Sequence, residues 1–248
     1  MSGSDAADPS AVWCDALAEA DRVFARIPGP DRPVKGCTHC FAESDLLALS
    51  GDPAAVSDDL FGSFMRKAVA HWDADQYAVL WRRLLPRALR SWGPEGGSGG
   101  TTSLEMGRLG RFGARLEQWP TAEHVAVERA FGALLTVAVT DGRPAWEVTE
   151  LVEGIAHATG GLERWLDHVG ALRGPGADAG VVRLVLGWAT DVLRDELDFD
   201  WWFDGDPRMI VRWLPSQRDR VTAYGVRHPA SSTAADALLA LDQLQLGD

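Results

Sequence analysis

Apolar side chains return every three or four residues along nearly the whole chain, and no stretch alternates convincingly at a period of two. That spacing confines the backbone to helices. It is clearest in His71–Trp92, HWDADQYAVLWRRLLPRALRSW. There Tyr77, Leu80, Trp81, Leu84, Leu85, Ala88, Leu89 and Trp92 share one helical face. Asp73 stands where an N-cap belongs, and Gln76 three residues later completes a capping-box pattern. Pro86 lies inside the segment and removes the backbone bond to the Arg82 carbonyl, so a kink is expected there. The rest of the chain is organised around this helix.

Residues 1–10 are small, polar and acidic and read as disordered. An N-terminal helical lobe over 11–92 holds Val12–Ile27, a Pro/Gly loop, a short helix at Glu43–Leu49, and a stripe from Leu60 to Trp72. Ser57 can cap that stripe. The stretch 93–103, with GPEGGSGG at its start, reads as a linker or a long surface loop. A C-terminal lobe over 104–248 follows. Its first helix starts from a Thr102-x-x-Glu105 capping box and runs to Trp119. Further helices are expected at Ala122–Val139, from Pro144 to His157, and at Leu162–Leu172, Ala179–Leu197, Pro207–Trp213, Ser216–Tyr224 and Thr233–Leu246. The expected fold is all-α, a multi-helix bundle or an irregular α-solenoid of about ten helices.

A net charge of −12 opposes nucleic acid and anionic lipid as partners. No apolar run approaches the ~18 residues that span a bilayer. The segment MSGSDAADPS has neither a basic n-region nor an apolar core, which points to a cytoplasmic protein. Eleven tryptophans are spread along the helical stripes, where they serve as packing anchors rather than one stacking platform.

Three places carry candidate chemistry. The first is Cys37-Thr38-His39-Cys40. Its thiols can be packing groups, one edge of a tetrahedral zinc site, or a redox pair. A zinc site needs further ligands, for which His39, His71 and Cys14 are candidates. The second is arginine-rich: Arg83, Arg87 and Arg90 share one helical face, and Arg108, Arg111 and Arg115 share a face of the next. Such faces can grip phosphate, carboxylate or a partner protein, but ion pairing with an acid-rich chain is the simpler use. The third is Asp195–Asp206, DELDFDWWFDGD. Trp201 and Trp202 occupy positions where an EF-hand needs oxygen ligands, and the terminal glutamate is missing. It reads as a connection whose aromatics plug the core, or else as a docking loop. No G-x-S-x-G elbow on a strand-to-helix turn, phosphate-binding glycine loop or metalloprotease histidine pair occurs; the letters G-G-S-G-G at 96–100 fall in the glycine-rich linker with no strand before them.

The Cys-x-x-Cys at Cys37/Cys40, the His71-Trp72 step and Leu85-Pro86-Arg87 together resemble a set of uncharacterised bacterial helical proteins. The resemblance covers about residues 37–92. It implies a helical fold and a shared role for the cysteine loop, and brings no activity with it. The expectation is therefore a helical interaction protein, an adaptor or regulator, whose partner is another protein. The alternatives are a zinc-binding protein using the Cys37/Cys40 loop and an enzyme of unknown chemistry in a helical pocket.

Overall fold

The helix that organises the sequence also organises the molecule. This helix, α4, runs from Ala74 to Trp92 without a break at Pro86. The Asp73 carboxylate caps it by accepting from the Gln76 N–H at 3.3 Å. All eight apolar side chains of the expected face are buried, and Leu80, Trp81, Leu85, Ala88 and Leu89 lose all contact with solvent. At roughly 25 cal/mol per Å² of apolar surface removed from water, a face of this size outweighs the one hydrogen bond that Pro86 forfeits.

The computed structural model describes residues 8–94, 96, 102–197 and 208–246. Among them are twelve α-helices: α1 (Pro9–Phe24), α2 (Glu43–Ser50), α3 (Asp58–Arg66), α4, α5 (Thr102–Gly107), α6 (Thr121–Thr140), α7 (Ala145–Thr159), α8 (Glu163–Ala171), α9 (Pro175–Leu193), α10 (Arg208–Trp213), α11 (Arg218–Arg227) and α12 (Ser232–Leu246). The fold is all-α, as the periodicity requires. Extended pairing among the described residues is limited to one antiparallel bridge, Gly36 to Trp72. No described helix is long and apolar enough to cross a membrane.

The packing is that of an irregular bundle. Helix α1 lies mainly on α6, α5 on α7, and α12 on α9. In a solenoid each unit would touch only its neighbours in sequence. One continuous cluster of buried side chains runs from Trp13 to Leu241, so the two expected lobes share a core. Trp92, at the end of α4, sits 6.3 Å from the Phe131 ring of α6. Across the same junction, Arg82 grips Glu123 with two bonds of 2.5 and 2.6 Å.

Several elements depart from expectation. Helix α1 begins at Pro9 with Asp8 as its cap, so order starts before residue 11. The stripe from Leu60 to Trp72 is two elements: α3 ends at Arg66, and a single 3₁₀ turn covers Val69–His71. The helix expected from Thr102 to Trp119 stops at Gly107. There Gly110 presses so closely on the His157 carbonyl that a Cβ would lie 2.4 Å from its oxygen. The chain turns back on itself, with Ala114 N–H donating to the Arg108 carbonyl and Leu116 N–H to the Leu109 carbonyl. Glu105 belongs to the core: it accepts from the Trp92 indole at 3.0 Å. The glycine-rich stretch from Glu95 onward, Gly96 apart, and Asp198–Asp206 of the acidic aromatic segment lie outside the described residues.

Candidate metal centre

The Cys-x-x-Cys loop is held in place by α4. Gln76 is a buried amide with no role in a capping box, despite its spacing from Asp73. Its Oε1 accepts from the Lys35 N–H at 2.8 Å, and its Nε2 donates to the carbonyls of Arg32 and Pro33 at 3.3 and 3.1 Å. The Asp73 N–H donates to the Lys35 carbonyl, and the Arg32 guanidinium pairs with the Asp73 carboxylate at 2.8 Å. The incoming strand is thereby laid antiparallel against residues 71–73. Its last rung is the Cys37 N–H, donated to the His71 carbonyl at 2.8 Å.

Gly36 is required at the turn into the cysteines. A Cβ there would meet Leu46 at 2.7 Å and the Trp72 ring at 3.0 Å. With no side chain, the loop lies flat on Trp72. The Cys37 carbonyl then accepts from the N–H groups of Cys40 and Phe41, both at 3.0 Å, which closes the turn and brings the two sulfurs to one side. Phe41 packs on Trp72 with ring centroids 4.6 Å apart, and Trp72 in turn meets Phe64 and Tyr77. An aromatic floor thus supports the loop.

The consequence is a convergence of Cys37, Cys40 and His71, whose ligand atoms all lie within 4.8 Å of one another. Cys40 Sγ is 3.5 Å from His71 Nδ1. For a tetrahedral zinc ion with Zn–S of about 2.3 Å and Zn–N of about 2.05 Å, the sulfur-to-nitrogen edge is about 3.6 Å. The donor set and spacing therefore fit zinc. The Cys37 thiol is brought down to about 6 from its ordinary 9.0, first by the His71 side chain, then by the N–H groups of His39 and Cys40 and by the Cys40 thiol. The thiolate is the form that ligates a metal, so a thiol that ionises this readily gives up its proton to an incoming ion at low cost.

Two expected ligands fall elsewhere. His39 points to solvent and contributes its backbone N–H rather than its ring. Cys14 is exposed on α1. The three ligands therefore leave a fourth position without a protein donor among the described residues.

The first expected arginine face is engaged internally. Arg83 donates to the carbonyls of Leu49 and Gly51, and Arg87 to that of Val56 and to Asp58 while lying over the Phe61 ring. Arg90 bonds Pro86 and Asp21. Helix α4 thus uses this face to tie down α1, α2 and α3. Arg108, Arg111 and Arg115 do not share a helical face, because α5 ends before them and Arg115 adopts a left-handed φ of 56°. Arg111 and Phe112 border a cleft of about 180 Å³ beside the last turn of α7. Its buried wall includes His157, held neutral by burial, which brings its imidazole down to about 4. Neither serine nor cysteine lines this cleft.

Taken together, these features define an all-α bundle in which Cys37 and Cys40 of one loop converge with His71, from the turn ahead of α4, as a candidate metal centre. Comparison with protein-family models, with curated proteins and with solved structures returns no match.

Proposed function

We propose that the protein binds zinc through Cys37, Cys40 and His71. The observation that carries this reading is the convergence of two sulfurs and one imidazole nitrogen within 4.8 Å, from segments more than thirty residues apart. Support comes also from the scaffold: buried Gln76 and the Gly36–Trp72 bridge fix the loop before any ion arrives, which lowers the ordering cost of binding. Closed zinc sites use four protein ligands, whereas three ligands leave a position for water or an exogenous group. In this reading the ion clips the N-terminal loop to the start of α4 and presents one exchangeable position to solvent.

Elemental analysis of the purified protein tests this. About one zinc per chain is expected, falling sharply in Cys37→Ser, Cys40→Ser and His71→Ala while Cys14→Ser keeps its metal. Cobalt substitution of the wild type should give thiolate-to-metal charge-transfer absorption. Metal far below one equivalent in the wild type, after expression with added zinc, refutes the proposal.

A further inference from the structure

Arginines do gather on this molecule, though away from the faces expected of them. The loop after α8 and one side of α11 border a cleft of about 330 Å³ whose lining includes Arg173, Arg220 and Arg227. Its carboxylates are Asp178, in the first turn of α9, and Asp219. Three guanidinium groups against two carboxylates leave the cleft net positive, in a chain whose overall charge is −12.

The hydrogen bonding shows which charge is already spoken for. Asp178 accepts from Arg220 Nε at 2.8 Å and from Arg227 Nη2 at 2.5 Å, so one carboxylate serves two arginines. Arg220 is anchored further by donating to the Leu172 carbonyl at 2.6 Å. Arg173 donates only to the carbonyls of Gly170 and Leu172, at 2.6 and 2.8 Å, and no carboxylate among the described residues lies within ion-pair distance of it. Each guanidinium carries five N–H donors, so all three retain donors for a ligand. Ser216 lines the same cleft, but its hydroxyl already donates to the Trp213 carbonyl at 2.6 Å, so the donors for a ligand come from the arginines.

We infer that this cleft binds the phosphate of a small phosphomonoester. A carboxylate has two oxygens, and Asp178 has both of its own occupied. A phosphate offers three oxygens on a tetrahedral head, enough to accept from the remaining donors of three arginines at once, and carries close to two charges at neutral pH. The cleft has room beyond the phosphate for an organic group. Nothing in this inference depends on the cysteine loop, which lies on other elements.

The test is ³¹P line broadening and calorimetry at fixed ionic strength, with phenyl phosphate, inorganic phosphate and benzoate as probes. Phenyl phosphate should bind with a Kd of about 1 mM or tighter, and benzoate much more weakly. Tighter binding of phenyl phosphate than of inorganic phosphate supports an ester ligand; equal binding limits the site to free phosphate and overturns the ester. Arg173→Gln and Arg227→Gln should each weaken binding about tenfold. Asp178→Asn removes the internal competitor and should tighten it about tenfold, with phosphate raising the melting temperature of the variant more than that of the wild type. Arg173 and Arg227 are exposed, so their variants decide the matter even where Asp178→Asn fails to fold. No broadening by either phosphate at ~10 mM, or binding unchanged in both arginine variants, overturns the inference.

Discussion

Gln76→Met isolates the device that joins fold to site. Methionine has nearly the length of glutamine, so the substitution opens little cavity while removing three hydrogen bonds. The Lys35 N–H and the Arg32 and Pro33 carbonyls lose their partner on a side chain that is 4% exposed. A net bond is worth roughly 0.5–1.5 kcal/mol, and a buried group left unsatisfied costs about 1–3 kcal/mol. Because Arg32, Pro33 and Lys35 are exposed, water recovers part of that, and the total is about 3 kcal/mol. For a chain of this size, that corresponds to a fall in melting temperature of roughly 6–12 °C. Differential scanning calorimetry reads the fall, and a chelator competition reads zinc affinity, which should drop about tenfold as the loop loses its preset shape. A melting temperature within about 2 °C of wild type would show that Gln76 is not the clamp. A large fall in stability with unchanged zinc affinity would show that the clamp does not position the cysteines.

Two further outcomes follow from burial. Leu85→Ala, at a fully buried position of α4, should destabilise the protein by ~2–5 kcal/mol in urea denaturation. A midpoint unchanged from wild type would place the core elsewhere. His157 has a native pKa near 4 against 6.5 when free, so the unfolded chain binds the extra proton between those values. Its contribution to stability is therefore complete above pH 6.5 and is lost as pH falls toward 4. His157→Gln should flatten the fall in melting temperature over that window, and an unaltered pH profile would contradict it. His168, also shifted downward by burial, adds in the same direction and remains in the variant.

Much of the scaffold was legible because helical burial is a one-dimensional code. The eight apolar positions of α4, the Asp73 and Ser57 caps, and the Gly160 stop after α7 are each set by residues within a few positions of one another. Errors arose where a long-range contact overrode that code. Local spacing continued a helix to Trp119, but the approach of Gly110 to the His157 carbonyl ended it at Gly107. Local spacing also made Gln76 and Glu105 capping residues, yet both side chains found stronger partners in the core: the 32–35 backbone for one and the Trp92 indole for the other.

The candidate sites divide in the same way. The pair Cys37 and Cys40 is visible from its spacing, and His71 is one of three candidates to complete it. That His71 and not His39 joins the sulfurs depends on which ring the Gly36–Trp72 bridge turns inward, and that is a tertiary matter. The grouping of Arg173, Arg220 and Arg227 around Asp178 had no sequence signal, since it joins an inter-helix loop to a helix begun more than forty residues later. The chain alone determined that the protein is built of helices and where most of them begin, because hydrogen bonding and burial along a helix are settled within four residues. Only the tertiary structure decided which polar side chains meet, because a charge or ligand finds its partner through space, at distances that sequence separation does not record.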